Sequence, residues 1–306
     1  MLNPILSFSA TRRMRSFKTM LIVLSWIAVL LVIAVVSMSG LLGNNVTISR
    51  LSSPITAYSL LMAAQFVLII LIAPAMTSGA IAGERERQTL ELLLVTNTRS
   101  FRIVTGKAME SFAMLALLIV CGFPVMCLTM ITGAVSLMQI LTGELYLLAV
   151  AFGAVCVGIL ASSLSRSTVV SGVMSYLMIL AIEVVTALPM LSDFSQETTD
   201  LIYDTNRFTA LSFGEVIGMV SPLLIFNPGY GLTALLQGQM KIFSPYMQYR
   251  ERGRLMCEFN LMEQAGGQTL ALLSSAAIVV LGFLLLLLAA AAVRRMSRKA
   301  AKSGGK

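Results

Sequence analysis

The chain has 306 residues, of which 57% are hydrophobic and 12% charged, with a net charge of +8 and a mean hydropathy of +0.88. A chain this apolar belongs in a bilayer, and the lack of any histidine removes HExxH metalloproteases, Ser-His hydrolases and histidine proton relays. The positive charge sits in short clusters beside apolar runs and not on a polar domain, which argues against a nucleic-acid partner, and the four cysteines, Cys121, Cys127, Cys156 and Cys257, show no disulfide or metal-ligand spacing.

In chain order, "NPILSFSATRRMRSFK" comes first. Asn3 is a helix cap and Pro4 suits a first helical position. Leu2, Ile5, Leu6, Met14, Phe17 and Leu21 recur at helical steps among Arg12, Arg13 and Arg15. The pattern predicts an interfacial amphipathic helix over 1–20, its cations near anionic headgroups; a basic flank that only fixes orientation is the alternative. The apolar run that follows lacks a small-residue cleavage pattern, so it reads as a span and not as a secretory signal.

Six runs reach the length of about 20 residues that a bilayer core demands: Leu21–Leu42, Ile55–Ala82, Ala108–Thr132, Leu145–Leu164, Thr168–Leu191 and Thr269–Val293. An even number puts both termini on one side. Placing that side in the cytoplasm gathers sixteen of the 22 basic residues there, including Arg85, Arg87, Arg102, Lys107, Arg166 and a basic tail over 294–306, as the positive-inside rule requires. Two short loops, 44–54 and 133–144, and one long segment, 192–268, then lie outside. Within the long segment, 210–226 is apolar but interrupted by Gly214, Glu215, Gly218 and Pro222. It reads as re-entrant or interfacial helices broken near Pro222 and "NPGYG" at 227–231, because irregular backbone at membrane depth needs shielding by protein; a seventh crossing is the alternative.

The most charged stretch is "GERERQTLELLL", Gly83–Leu94. On helical spacing Glu84, Arg87 and Glu91 share one face and Leu90, Leu93 and Leu94 another. Thr96–Thr98 breaks the run, and Thr98 is placed to cap a helix that passes Gly106 and Lys107 into the third span. The stretch thus predicts an elbow on the inner face, and Gly79 and Gly83 form a small-xxx-small pair that admits a close neighbour. Its bland alternative is a solvated charge cluster with local pairs worth about 0.2–0.5 kcal/mol each. No phosphate loop is present: Gly106-Lys107 runs into Ala108, and Phe101 occupies the position of the first glycine. Glu183 is a carboxylate inside the fifth span, expected to face a cavity or a partner or else to reach water near the end of its span. Gln65 and Tyr176 are weaker pathway candidates that read equally well as helix-to-helix hydrogen-bond partners.

Gly83–Lys107 resembles the signature loop of type 2 ABC exporter permeases, approximately E-x-E-x-G-T-L-E-x-L-L, then a turn and a basic segment ending in G-K. Gln88 stands where that family usually has glycine. The resemblance extends to the basic N-terminal helix, the six spans, the long connection with Asn227-Pro228 and the basic C-terminal end. It implies an all-α polytopic membrane protein, one transmembrane domain over 1–306, in the cell membrane of a bacterium or archaeon. It further implies that Gly83–Val95 is a coupling helix docking on a separate ATPase through Glu84, Arg85, Glu86, Arg87, Thr89, Leu90 and Glu91, with Gly106 and Lys107 leading into the third span. The working unit would hold two ATPase subunits, which bind ATP and Mg, and a second permease chain, the same or paralogous. This chain would carry no cofactor, metal or catalytic residue. Two readings compete with a permease: an ion-coupled secondary transporter using Glu183, which internal repeats would favour, and a non-transport membrane scaffold. The methionine-rich spans lean towards amphipathic cargo.

Overall fold

Long apolar runs of good helix formers, with few residues to stop them, fold into long helices. The computed structural model describes residues 17–39, 54–88, 100–132, 135–200, 224–240, 248–251, 254–257 and 261–303. In chain order the helices are α1 (Phe17–Ser39), α2 (Pro54–Thr77), α3 (Ala82–Glu86), α4 (Ser100–Cys127), α5 (Leu137–Leu164), α6 (Thr168–Asp200), α7 (Pro228–Met240) and α8 (Leu261–Ser303). Short 3-10 turns follow α4 at Leu128–Thr132 and precede α7 at Leu224–Phe226. Six helices are long and apolar enough to cross a membrane, lying in α1, α2, α4, α5, α6 and α8. The fold is an all-α polytopic membrane protein, and the spans fall where the apolar runs predict them.

Several boundaries differ from expectation. The third span begins at Ser100, because the basic segment through Gly106 and Lys107 is continuous with it. The fourth begins at Leu137 and not at Leu145: Ser136 accepts the Gln139 amide while the Gln139 side chain accepts the Ser136 amide, a capping box that starts the helix before Glu144. The fifth helix runs past Leu191 to Asp200. One short antiparallel ladder, β1 (Gln248–Glu251) with β2 (Arg254–Cys257), pairs Tyr249 with Met256 and was not anticipated. Arg12, Arg13 and Arg15 lie outside the described residues, as does most of the 210–226 segment; of the expected interfacial helix over 1–20, residues from Phe17 onward belong to α1.

The chain divides into two compact units, 1–179 with 279–306, and 180–278. In the first, α5 is the centre: 72% of its span is buried, against 17% for α1 and for the span at the start of α6. Leu61, Met62 and Ile69 of α2 and Leu115, Leu118 and Ile119 of α4 are buried with Leu147 and Ile159 of α5. Phe112, Phe152 and Phe283 stack in series, with ring centroids 5.6 and 5.3 Å apart, joining α4, α5 and α8. The α2–α5 crossing is tight enough that a Cβ on Gly158 would fall 1.9 Å from Thr77 Oγ1, so only glycine lets the helices meet there. Pro74 sits inside α2, where it removes one helical bond; in the turn before it, the Leu71 carbonyl accepts the Tyr176 hydroxyl of α6 at 2.7 Å. Tyr176 is thus a helix-to-helix partner.

In the second unit, Asn227 joins α6 to α7. Its Nδ2 donates to Thr186 Oγ1 at 2.9 Å and to the Glu183 carbonyl at 3.0 Å, while its Oδ1 accepts the Tyr230 amide at 2.8 Å. Asn227 is therefore the N-cap of α7, with Pro228 at the first helical position.

Candidate functional site

The charged stretch follows α2 without leaving the bundle. Its local fold is set by a short turn, in which the Ser78 amide donates to the Pro74 carbonyl and the Ala80 amide to the Thr77 carbonyl. The next amides, Ile81 and Ala82, open the five-residue helix α3, and both donate to Ser162 Oγ at 3.0 Å. The same hydroxyl donates to the Ser78 carbonyl at 3.0 Å. One serine near the end of α5 thus satisfies three backbone groups of the elbow that no helix would otherwise bond.

The three charges that follow go to three different helices. Glu84 Oε1 pairs with Lys107 Nζ of α4 at 2.8 Å. Arg85 donates to the Ser165 carbonyl and, at 3.3 Å, to the Ser163 carbonyl, closing the C-terminal end of α5 with a cation. Glu86 Oε2 accepts the amide and the hydroxyl of Thr168, the first residue of α6, at 3.2 and 3.0 Å, so an anion caps that N-terminus. Thr168 also fits against the small pair Gly79 and Gly83, its Cγ2 standing 3.8 and 3.3 Å from where their Cβ atoms would be. The close neighbour that this pair admits is the start of α6.

Arg87 and Gln88 then face solvent. Gln88 has a φ of 58°, the left-handed conformation that ends a helix and favours glycine. The departure from the family pattern at this position is a substitution at a backbone position suited to glycine. Gln88 stands just after α3, which ends at Glu86 with Arg87 as its C-cap. Thr89, Leu90 and Glu91 lie outside the described residues. Gly106 has open space where a Cβ would stand, and its neighbour Lys107 is the residue that reaches the elbow.

Among the other expected candidates, Glu183 belongs to the second unit, where its carboxylate faces the Gly229 amide at the first turn of α7. Gln65 is fully buried on α2. Sequence reasoning missed Ser162, Ser163, Ser165 and Thr168, whose only signal is the polar run "SSLSRST" after an apolar span, and Glu144, assigned to a loop but buried in α5. Among the described residues, no group of histidine, cysteine, aspartate and glutamate side chains is suited to a metal ion.

A search of curated proteins finds no match. The family model described as "ABC-2 family transporter protein" matches residues 42–300, which takes in the elbow, its three clasped helices and both units. The chain belongs to the ABC-2 family of transporter proteins.

Proposed function

We propose that this chain is the permease subunit of an ATP-driven exporter, driven by a separate ATPase that docks on Gly83–Val95. As an ABC-2 transporter component, the chain is a multi-pass membrane protein of a family that works with an ATPase subunit and dimerises. In the proposed assembly two such chains, the same or paralogous, meet two ATPase subunits that hold ATP and Mg. Both termini and the elbow lie in the cytoplasm of a bacterial or archaeal cell.

The observation that carries this reading is the clasp. Glu84, Arg85 and Glu86 each hold a different helix, so a displacement applied to α3 reaches α4, α5 and α6 together. The turn at Arg87 and Gln88, directly beyond, is exposed and so accessible to a docking partner. Since Glu84 and Glu86 already have partners within the chain, the contacts to the ATPase fall to Arg87, Thr89, Leu90 and Glu91, while the two carboxylates transmit.

The test is co-purification with a co-expressed ABC-type ATPase, together with ATP hydrolysis in reconstituted vesicles. Arg87→Glu combined with Glu91→Lys should lose the complex. Glu86→Gln should keep the complex but lower the hydrolysis that depends on the permease. An intact, fully active complex in the Arg87→Glu/Glu91→Lys variant rejects docking at the elbow.

A further inference from the structure

Within the first unit, three helices bring polar atoms together against a glycine of a fourth. Gln65 of α2 is 0% exposed, Trp26 of α1 3% and Glu144 of α5 7%. They meet over Gly122 of α4: a Cβ there would fall 2.5 Å from Gln65 Nε2 and 3.1 Å from Trp26 Nε1, and the Glu144 carboxyl faces Gln65. The missing side chain at Gly122 is what gives these groups room. Yet Trp26 Nε1, Gln65 Nε2 and Oε1, and Glu144 Oε1 and Oε2 all lack a hydrogen-bond partner. Buried polar atoms are nearly always partnered; Gln65 is the side chain that faces Glu144, yet none of the five atoms has a hydrogen-bond partner in the chain, which leaves them to an occupant that is not part of it.

Charge identifies the occupant. There is no lysine or arginine in Thr19–Ser39, Pro54–Gly83, Ala108–Thr132 or Leu137–Leu164, so none of the four helices offers Glu144 a cationic partner within its span. An intramembrane carboxylate without countercharge is the costly state. The other titratable groups on these helices do not supply one: the Tyr58 hydroxyl of α2 is bound to the Gln139 carbonyl at 3.0 Å, Cys121 adjoins Gly122, Tyr146 and Cys127 carry no positive charge, Glu110 of α4 and Cys156 of α5 each lie about 18 Å of helix rise away, and the cations Lys18 of α1 and Arg102 and Lys107 of α4 lie about 12 Å or more of rise from the cluster. Gln65 lies about 17 Å of helix rise from Pro54 and Glu144 about 10 Å from Leu137, which places the cluster inside the span, towards the end where α5 begins.

We propose that Glu144, Gln65 and Trp26 form an intramembrane site for one monovalent cation, either a proton or an alkali-metal ion. Glu144 and Gln65 Oε1 supply the acceptors that face the cation. Gln65 Nε2 and Trp26 Nε1 are donors that hold the second carboxylate oxygen or a water bound beside it. The site stands apart from the elbow and does not depend on how the ATPase docks.

Trp26 is the only tryptophan in the chain, so the intrinsic fluorescence of the full-length protein reports on this site directly. The purified chain in detergent micelles is titrated with lithium, sodium and potassium chloride at constant ionic strength, balanced with choline chloride, and separately with pH in choline alone. A saturable change in Trp26 emission with one alkali ion at fixed pH identifies the metal ion; a change with pH alone identifies the proton. Glu144→Gln should abolish the response, and Glu144→Asp, which keeps the charge but moves it, should shift its midpoint by about tenfold or more. Both variants are compared by size-exclusion profile, and where Glu144→Gln does not fold, the Asp variant decides. Wild-type emission indifferent to alkali ions and to pH, an unchanged response in Glu144→Gln, or an unshifted midpoint in Glu144→Asp overturns the proposal and leaves these polar atoms to water.

Discussion

Glu86 caps Thr168: a carboxylate at the end of a five-residue helix accepts both the amide and the hydroxyl of the residue that opens α6. The contact joins positions 82 residues apart in sequence, and it makes the start of the fifth span depend on the elbow. Replacing Glu86 with Ala should cost about 1 kcal/mol, the usual worth of an N-cap. The effect should appear as faster hydrogen exchange at Thr168 and the amides after it. Unchanged exchange there would mean that water caps α6 equally well.

Arg85 reaches two carbonyls at the end of α5. Hydrogen bonds from a charged donor contribute about 1.5–3 kcal/mol net in favourable cases, and the guanidinium is only half-buried, so the lower end applies. Arg85→Ala should lower the melting temperature of the purified chain by about 2 °C. Arg85→Lys should recover only part of that, since a lysine ammonium does not span both carbonyls as a guanidinium fork does. Equal melting temperatures for Lys and Arg at this position would show that charge alone is at work.

At Gln88 the left-handed backbone opposes the side chain. A non-glycine residue pays about 1–2 kcal/mol for that conformation, and glycine loses part of the gain through its larger unfolded-state entropy. Gln88→Gly should therefore stabilise slightly or be neutral, whereas the β-branched Gln88→Val should destabilise by more than 1 kcal/mol, roughly, for steric reasons. Thermal denaturation of the three proteins side by side distinguishes the cases. If Val is tolerated as well as Gly, the left-handed turn does not persist in solution.

Gly158 presses on Thr77. A methyl group there would overlap Thr77 Oγ1 and stand 2.8 Å from its Cβ, and overpacking of this kind costs about 1–3 kcal/mol. Gly158→Ala should reduce the yield of folded protein, and Thr77→Ala in the same chain should restore much of it by removing the hydroxyl. A double variant no better than Gly158→Ala alone would locate the damage elsewhere.

The spans were legible because length and hydropathy are properties of consecutive residues. The start of α5 was misplaced because Glu144 reads as a loop residue when charge is weighed alone. The Ser136-x-x-Gln139 capping box was present in the sequence, and a carboxyl in a buried polar cluster does not interrupt a helix. The elbow was recognisable as a charged stretch, and Gln88 as the one misfit within it. What each charge holds was not legible: Ser162, Ser165 and Thr168 lie about 80 residues downstream, and helical periodicity carries no information over such a distance. Nor does the sequence around 248–257 alternate strongly enough to announce its short ladder.

The clasp also sets an order in time. Residues 78–86 leave the ribosome well before Ser162–Thr168, and at about 5–20 residues per second the roughly 80 residues between them take about 4–16 s to make. During that interval Ser78, Ile81, Ala82, Arg85 and Glu86 have no partner from α5 or α6, and a chain that stops short of the fifth span never provides the partner of Glu86. The finished elbow is thus evidence that four spans and the start of the fifth have been made, and a partner that binds only the clasped form rejects chains truncated before that point.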